Sequence, residues 1–478
     1  MTAYRARQLD LEDIQGNVLR GYKMPCAAYC FYRVEDGGAG RGFLRALLEH
    51  VTREGGEEWR SGKKPDSTLN IAFTFEGLRA MEVDRGVLET FPADFREGMA
   101  ARRAQRSLRD TGLSAPRAGE SAKGRWKWEK HFRPSQAHML VTIHARHGDA
   151  RKDALDRLEE RAKPHAVSPL HQDLAAALGD EGAEREHFGF TDGFSQPAIE
   201  GVPGRDMKGG KQPGALPGGG VALAGGGWRP VKPGEFILGY EDEDGLIPPS
   251  PAAPFANNGT FMVYRKLYQD VARFRRFSES EAADPGGLGD EEKVAAKIVG
   301  RWRDGSPLGR SPHGPDPKIG NDSRLANDFT YSDDVYGYRC PLGAHVRRAN
   351  PRDALEGGSE RTRRHQLIRR GMPYGPPLEG ERNDRVDRGL IFICFNASIA
   401  RQFEVVQRWL MDGNVFGLGD ESDFLLGRNE EDTTGKWKMT VQGEPPVTLS
   451  PQEPFVITKG GEYLFLPGMR SLQALAAE

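Results

Sequence analysis

Cysteine is scarce in this chain: Cys26, Cys30, Cys340 and Cys394 are the whole supply among 478 residues. Cys26 and Cys30 are close, but no Cys-x-x-Cys and no matching second pair occurs. Neither a zinc knuckle nor a dense disulfide framework is expected. Reduced, packed thiols are the expectation, with Cys394 inside the apolar run Leu390-Ile-Phe-Ile-Cys-Phe395. No stretch approaches the roughly 20 apolar residues that cross a bilayer. The start, Met1-Thr-Ala-Tyr-Arg-Ala-Arg, has neither an apolar leader nor a twin-arginine pair, so a cytoplasmic chain without a membrane partner is expected. Excess charge of either sign is missing too: 67 basic against 69 acidic residues leave a formal net charge of −2. No basic field therefore recommends nucleic acid as a partner.

Glycine and proline are plentiful, at 60 and 32 residues, while hydrophobic content is 37%. That balance favours a loop-rich globular enzyme over a bundle or a fibre. Ala28–Val34, the alternating Leu69, Ile71, Phe73 and Phe75, and His138–His144 read as strands. Phe43, Leu44, Leu47, Leu48 and Val51 recur at helical spacing, and residues 150 to 162 form a charged helix. This order is α+β and fits a ferredoxin-like unit. Residues 203 to 227 break the pattern with Gly209-Gly, Pro217-Gly-Gly-Gly and Gly225-Gly-Gly, which reads as a linker before a mobile surface loop. Beyond it, Glu235–Tyr240, Thr260–Leu267, Leu390–Phe395, Phe455–Thr458 and Tyr463–Leu466 read as strands. Gln269–Phe277 and Asp290–Trp302 read as helices, and Ser398 as the N-cap of a helix carrying Phe403, Val406 and Trp409. Residues 303 to 336 read as a long surface loop.

Three segments carry chemistry. Pro341-Leu-Gly-Ala-His-Val-Arg-Arg-Ala-Asn-Pro-Arg352 sets the imidazole of His345 before three arginines. That combination suits a haem, which needs nitrogen for the iron and positive charge for the propionates, although a lone histidine is more often structural. Gly189-Phe-Thr-Asp-Gly-Phe-Ser-Gln-Pro197 places Asp192 among glycines and aromatics. Asp192 is a candidate proton carrier there, or a turn residue bonding its own backbone. In Arg361–Gly375, Leu367 and Ile368 anchor the chain just before Arg369 and Arg370, one of which could turn inward as a donor to an oxyanion. His138, His144, His147, His165, His171 and His187 fit no familiar metal-ligand set.

Gly-Phe-Thr-Asp-Gly, Ala-His-Val-Arg-Arg-Ala-Asn-Pro-Arg and Ile-Arg-Arg-Gly-Met-Pro-Tyr-Gly together resemble the dye-decolorizing peroxidase family. Asp13-Ile-Gln-Gly-Asn-Val-Leu, Gly234–Tyr240 and Asn258–Leu267 agree, so the likeness runs over nearly the whole chain. The resemblance implies two ferredoxin-like domains with antiparallel sheets and peripheral helices. Their ranges would be 1–205 and 229–478, with the glycine-rich connection at 206–228 and haem held mainly by the second. It implies one haem b per chain, and hydrogen peroxide and dye-like, phenolic or other aromatic donors as partners. His345 would ligate the iron, with Asp420 or Asp423 as candidate carboxylate partners that are equally readable as loop turns. Asp192 and Arg369, the first arginine of the pair, would be catalytic. Gly193, Phe194 and Ser195 would line the haem edge, and Asn350, Pro351 and Arg352 the proximal side, Arg352 near a propionate. Leu390 and Phe392 would narrow the distal cavity. Bulky dyes would be oxidised at the haem edge or through a surface residue. Trp126, Trp128, Trp228, Trp302, Trp409, Trp437 and Tyr374 are available, and sequence does not choose among them. A non-enzymatic haem carrier or sensor, and release of iron from haem, are the rival readings.

Overall fold

Two runs built on strand, helix, strand, strand, helix and strand follow one another along the chain, the second with one further short strand and a short helix. The first holds β1 (Cys26–Val34), α1 (Gly37–Leu48), β2 (Ser67–Phe73), β3 (Met139–Ala145), α2 (Gly148–Ala162) and β4 (Val167–Ala176). The second holds β5 (Thr260–Gln269), α3 (Val271–Ala283), β6 (Ile368–Arg369), β7 (Met372–Tyr374), β8 (Gly389–Asn396), α5 (Phe403–Met411) and β9 (Val456–Leu466), with the short helix α4 (His345–Ala349) between α3 and β6. A last helix, α6 (Met469–Ala477), closes the chain. The computed structural model describes residues 8–56, 64–110, 128–179, 185–202, 217–223, 226–284, 288–417, 421–427, 437–440, 447–450 and 454–477. Most of the glycine-rich connection therefore lies outside the described residues.

All pairings in the main sheet are antiparallel, and its order is β4-β1-β3-β2-β9-β5-β8-β6, with β7 also on β8. Each half thus repeats one spatial order: fourth strand, first, third, second. That is the ferredoxin-like arrangement expected from the sequence. The halves share a single nine-stranded sheet, joined where Phe465 pairs with Phe73. The outer strand β4 lies against β7, so the sheet curls toward closure. Phe91, Phe95, Phe255, Phe261 and Phe465 interlock at the seam at edge-to-face and tilted angles, which aromatic quadrupoles favour.

The early Asp13-Ile-Gln motif stitches the two halves. Gln15 Nε2 donates to Ile71 O at 2.9 Å and to Pro467 O at 3.0 Å, while its Oε1 accepts from Ile71 N. Asp13 accepts from Asn258 Nδ2 and from Arg470 N. Helix α6 packs on α1 of the first half, and Arg45 donates to Ala476 O.

Three expectations shift, and one strand is present that was not anticipated. Glu235–Tyr240 is no strand: Pro233 fixes the backbone, and Phe236 N and Ile237 N both close onto its carbonyl in a 3₁₀ turn. Ser398 does not cap α5, which begins five residues later, at Phe403 behind Gln402; Ser398 Oγ accepts instead from Arg401 N in the preceding turn. The unanticipated strand is 167–176: as a sheet edge it leaves five of its ten residues exposed, so it lacks a sustained apolar alternation. Residues 303 to 336 are not merely a surface loop: with Trp302, Leu308, Tyr331 and Cys340 they enclose a small core of their own.

Gly389 shows how closely β8 and β5 approach. A Cβ there would lie 1.8 Å from Leu267 O. Gly389→Ala should lower the unfolding free energy by at least the roughly 1–3 kcal/mol typical of overpacking. Chemical denaturation reads this directly, and an unchanged midpoint would show that the strands part without cost.

Candidate active site

Strand alternation creates the site. Along β8, Ile391 and Ile393 are buried in the shared core, while Leu390 and Phe392 between them point to the other face. On that face, Arg265, Leu267 and Gln269 of β5 and Val456 and Thr458 of β9 join them in lining a cavity of about 310 Å³. Loops cover it: the 186–197 segment, α4 and the turn after it, and the 425–426 turn.

His345 begins α4, and Asn350-Pro351 ends it, since a residue before proline is biased away from helix. His345 Nδ1 meets Asp423 Oδ2 at 2.8 Å. Asp423 is 0% exposed and also accepts from Leu425 N and Leu426 N through Oδ1. Gly343 makes this pairing possible: a Cβ there would lie 2.5 Å from the Phe424 ring and 2.6 Å from Ser422 O, so only glycine lets the 421–427 segment dock. Burial pulls the His345 pKa down, the Asp423 carboxylate outweighs it, and the net direction is up. The side chain keeps 28% of its surface accessible, as a cavity-lining residue does, although it sits deep in the protein. With Nδ1 engaged, Nε2 is the nitrogen left for a ligand, and it has no hydrogen-bond partner among the described residues. Asp420, the other candidate partner, lies outside the described residues.

The three neighbouring arginines divide. Arg347 and Arg348 are buried cross-links rather than cavity cations. Arg347 bonds Asp334 and Cys340 O, and its guanidinium stands 4.5 Å from the Tyr331 ring centroid. Arg348 donates to the carbonyls of Trp409, Glu421 and Asp412. Arg352 does line the cavity, bonded to Asn327 O and Phe329 O and stacked 3.8 Å over the Phe329 ring. Arg301 lies beside it and was given no role by the sequence. It donates to Ala326 O and Asn327 Oδ1, and burial pushes its pKa down to about 10. Neither Arg301 nor Arg352 has an ion pair with a described carboxylate, so both retain charge for an anion at the cavity wall.

Asp192 and Arg369 meet across the cavity rim. Asp192 Oδ1 lies 3.6 Å from Arg369 Nη1 and accepts from Gly193 N at 2.7 Å. The local turn bond and the cavity position therefore coexist. Arg369 Nη2 donates to Phe194 O at 2.7 Å. Arg370 turns the other way and donates to Asn17 O, Val18 O and Leu19 O. Pairing of β6 with β8 makes this choice: Ile368 packs in the core, so Arg369 faces the cavity. Both Asp192 and Arg369 are near enough to His345 to bias its charge.

Phe194, Ser195 and Asn350 line the cavity with Leu390 and Phe392, whereas Gly193 and Pro351 are not among its lining residues. Gly193 (φ +84°) and Ser195 (φ +57°) take left-handed backbone to turn the segment, and Ser195 Oγ bonds Asn327. Of the aromatic candidates, Trp409 lines the cavity, edge-on to His365 at 5.0 Å. Trp128, Trp302 and Tyr374 are buried. Trp126 and the Trp437 side chain lie outside what is described.

Glu186 went unnoticed in the sequence. Its carboxylate lines the cavity and accepts from Phe188 N and Phe190 N at 2.9 Å and from Gln269 Nε2 at 2.6 Å. It thereby folds the turn that presents Asp192. Burial pushes its pKa up to about 7. A raised carboxyl pKa favours folding fully below the unfolded value, and that contribution is lost as pH rises through about 7. Glu186→Gln removes this linkage. The melting temperature of the wild type minus that of the variant should therefore fall between pH 5 and pH 8, and a pH-independent difference would refute it.

The profile described as DyP dimeric alpha+beta barrel domain matches residues 13–172. That described as Dyp-type peroxidase, C-terminal, matches residues 251–421. A dye-decolorizing peroxidase of Mycena epipterygia is 30% identical over 98% of this chain and 87% of its own. The solved structure of an ancestral D-type dye decolorizing peroxidase superposes with a TM-score of 0.81, at 26% identity over 99% of this chain and 100% of that one. A dye-decolorizing peroxidase complex with 2,6-dimethoxyphenol gives 0.76, at 26% identity over 98% and 100%. A deferrochelatase of Yersinia pestis is 32% identical, but over only 24% of this chain and 22% of its own.

Proposed function

The chain belongs to the dye-decolorizing peroxidase family, and from that premise we infer that it is a haem-dependent peroxidase reducing hydrogen peroxide and oxidising dyes, phenols and other aromatic donors. The observation that carries this reading is the pairing of two devices on one cavity: an imidazole braced by a buried carboxylate, and an Asp192–Arg369 pair. A cavity of about 310 Å³ also falls within the roughly 300–1,000 Å³ of small-molecule and cofactor sites.

In this reading the cofactor is one haem b per chain. His345 Nε2 ligates the iron, while Arg352 and Arg301 answer the propionates. Bound haem supplies a redox-active iron for cleavage of the peroxide O–O bond and for one-electron oxidation of donors. Asp423 holds the proton on His345 Nδ1, fixing the tautomer and raising the basicity of Nε2. Asp192 Oδ1 is occupied by Gly193 N and faces Arg369, so Oδ2 is the oxygen that takes a proton from one peroxide oxygen and returns it to the other. The Arg369 guanidinium offsets negative charge as that bond lengthens. Leu390 and Phe392 present only carbon to the cavity and exclude bulky donors, which leaves dyes to be oxidised at an accessible edge. Trp409 is the aromatic residue best placed to carry an electron there.

A haem carrier needs His345 but neither Asp192 nor Arg369, and the deferrochelatase likeness covers too little of the chain to favour iron release. We also propose the division 1–205, 206–228 and 229–478. Among the described residues no helix is long and apolar enough to cross a membrane. A cytoplasmic location suits the four unpaired cysteines. The test is direct: protein supplied with haemin should develop a Soret band and turn over 2,6-dimethoxyphenol with peroxide. A preparation that stays colourless overturns the reading.

A further inference from the structure

The outer side of the cavity wall carries an aromatic residue that the peroxide site does not use. Trp228 stands in a short hairpin that pairs Val221–Ala222 with Trp228–Arg229. It does not line the cavity, yet the guanidinium of Arg352, which does, lies 5.6 Å from its ring centroid. One side chain therefore separates Trp228 from the cavity. The indole is part-exposed, and its Nε1 donates to the exposed carboxylate of Asp328 at 3.0 Å. Resting on the haem peroxidase reading, we propose that Trp228 and Asp328 form an oxidation site for bulky phenolic donors outside the cavity, Trp228 taking the electron and Asp328 the proton.

Position is the first support. Leu390 and Phe392 close the cavity to bulky donors, so such donors must give up electrons elsewhere. Trp409 lines the cavity itself, whereas Trp228 stands outside Arg352, where a donor reaches the ring. An indole offers a flat apolar face to another aromatic ring. Electrostatics is the second support. Oxidation leaves the indole positively charged, and a carboxylate bonded to its N–H stabilises that charge. The Arg352 guanidinium opposes it from farther away, and a propionate answers that cation in the haem-bound protein. Arg310 holds the carboxylate in place: its Nη1 donates to Asp328 O at 3.0 Å and lies 3.8 Å from Asp328 Oδ2.

The two residues divide the chemistry. Asp328 Oδ1 holds the indole N–H, which leaves Oδ2 to accept from a phenol hydroxyl. Trp228 first loses one electron to haem oxidised by peroxide. A phenol stacked on the ring then returns one electron to Trp228. Its O–H bond breaks, and the proton passes to Asp328 and on to water. The products are a phenoxyl radical and the restored Trp228–Asp328 pair. A donor with no proton to lose needs Trp228 alone.

The haem-loaded protein is the test material, with each rate normalised to the Soret band. Wild type mixed with peroxide and a nitroso spin trap, without donor, should carry the trap on Trp228 by peptide mass spectrometry. Trp228→Phe should lose most of its turnover of phenol red, a bulky phenol, and of ferrocyanide, which gives an electron and no proton. Trp228→Tyr, which keeps an oxidisable ring, should recover part of both. Asp328→Asn keeps an acceptor for the indole but no base. It should slow phenol red about tenfold, below the roughly 10²–10⁴-fold of an enclosed base because water also takes the proton, and ferrocyanide far less. Suppose peroxide shifts the Soret band, yet no adduct forms at Trp228 or Trp228→Phe turns over phenol red at the wild-type rate. The site is then wrong while the peroxidase reading stands. A band that does not respond to peroxide overturns both.

Discussion

His345→Ala should abolish haem retention: the variant, supplied with haemin and desalted, should show no Soret band above background. The imidazole is the one nitrogen ligand that the Gly343 contact, the Asp423 carboxylate and the end of α4 combine to hold in the cavity wall. His365, the other lining histidine among the described residues, is held through Nδ1 by Arg401 O, and Arg301 and Arg352 are cations that suit propionates rather than the iron. Asp423→Asn separates ligation from tuning. It keeps a hydrogen-bonding group at His345 Nδ1 but loses the carboxylate charge, so haem should remain while affinity or turnover falls about 10–100-fold. Full haem occupancy in His345→Ala would mean that another residue ligates the iron.

The second large effect is expected at the opposite function. Asp192→Asn should slow the reaction with peroxide by about 10²–10⁴-fold, the usual worth of a positioned proton carrier. Arg369→Leu should cost about 10²–10³-fold, as for loss of one donor to a developing anion. The two side chains stand 3.6 Å apart, so the double variant should lose less than the product of the single effects. Stopped-flow absorbance after mixing with peroxide measures all three rates, with the Soret band as control for haem content. If the double variant reacts at the wild-type rate, the proton carrier and charge donor lie elsewhere. Retained haem with lost reactivity is the outcome a mere carrier would not give, since a carrier would be indifferent to both changes.

Much of this molecule was legible because its cues are local. The spacing of Phe43, Leu44 and Leu47 marks α1, and the apolar run at 390–395 marks β8, whichever partners they later find. Where a local cue competed with tertiary demand, the reading slipped. Phe236 and Ile237 look like strand residues, yet Pro233 bends the chain. Ser398 looks like a cap, yet Gln402 stands at that position. The arginines after His345 illustrate the same limit. Three equal charges in sequence become two buried cross-links and one cavity cation, because only their partners' positions distinguish them.

By itself the sequence determined the alphabet of the site: an imidazole before Asn-Pro, an aspartate among glycines, an arginine pair behind two aliphatic anchors. Those depend on neighbours along the chain, where backbone restriction and side-chain alternation act at short range. Tertiary structure alone decided that Asp423, 78 residues from His345, would brace it. It also decided that Glu186 would fold the Asp192 turn, that Arg301 would join Arg352 at the wall, and that Trp228 would meet Arg352 from outside it. Such pairings are fixed by which strands share a face and which loops a glycine lets approach, and no local pattern encodes that.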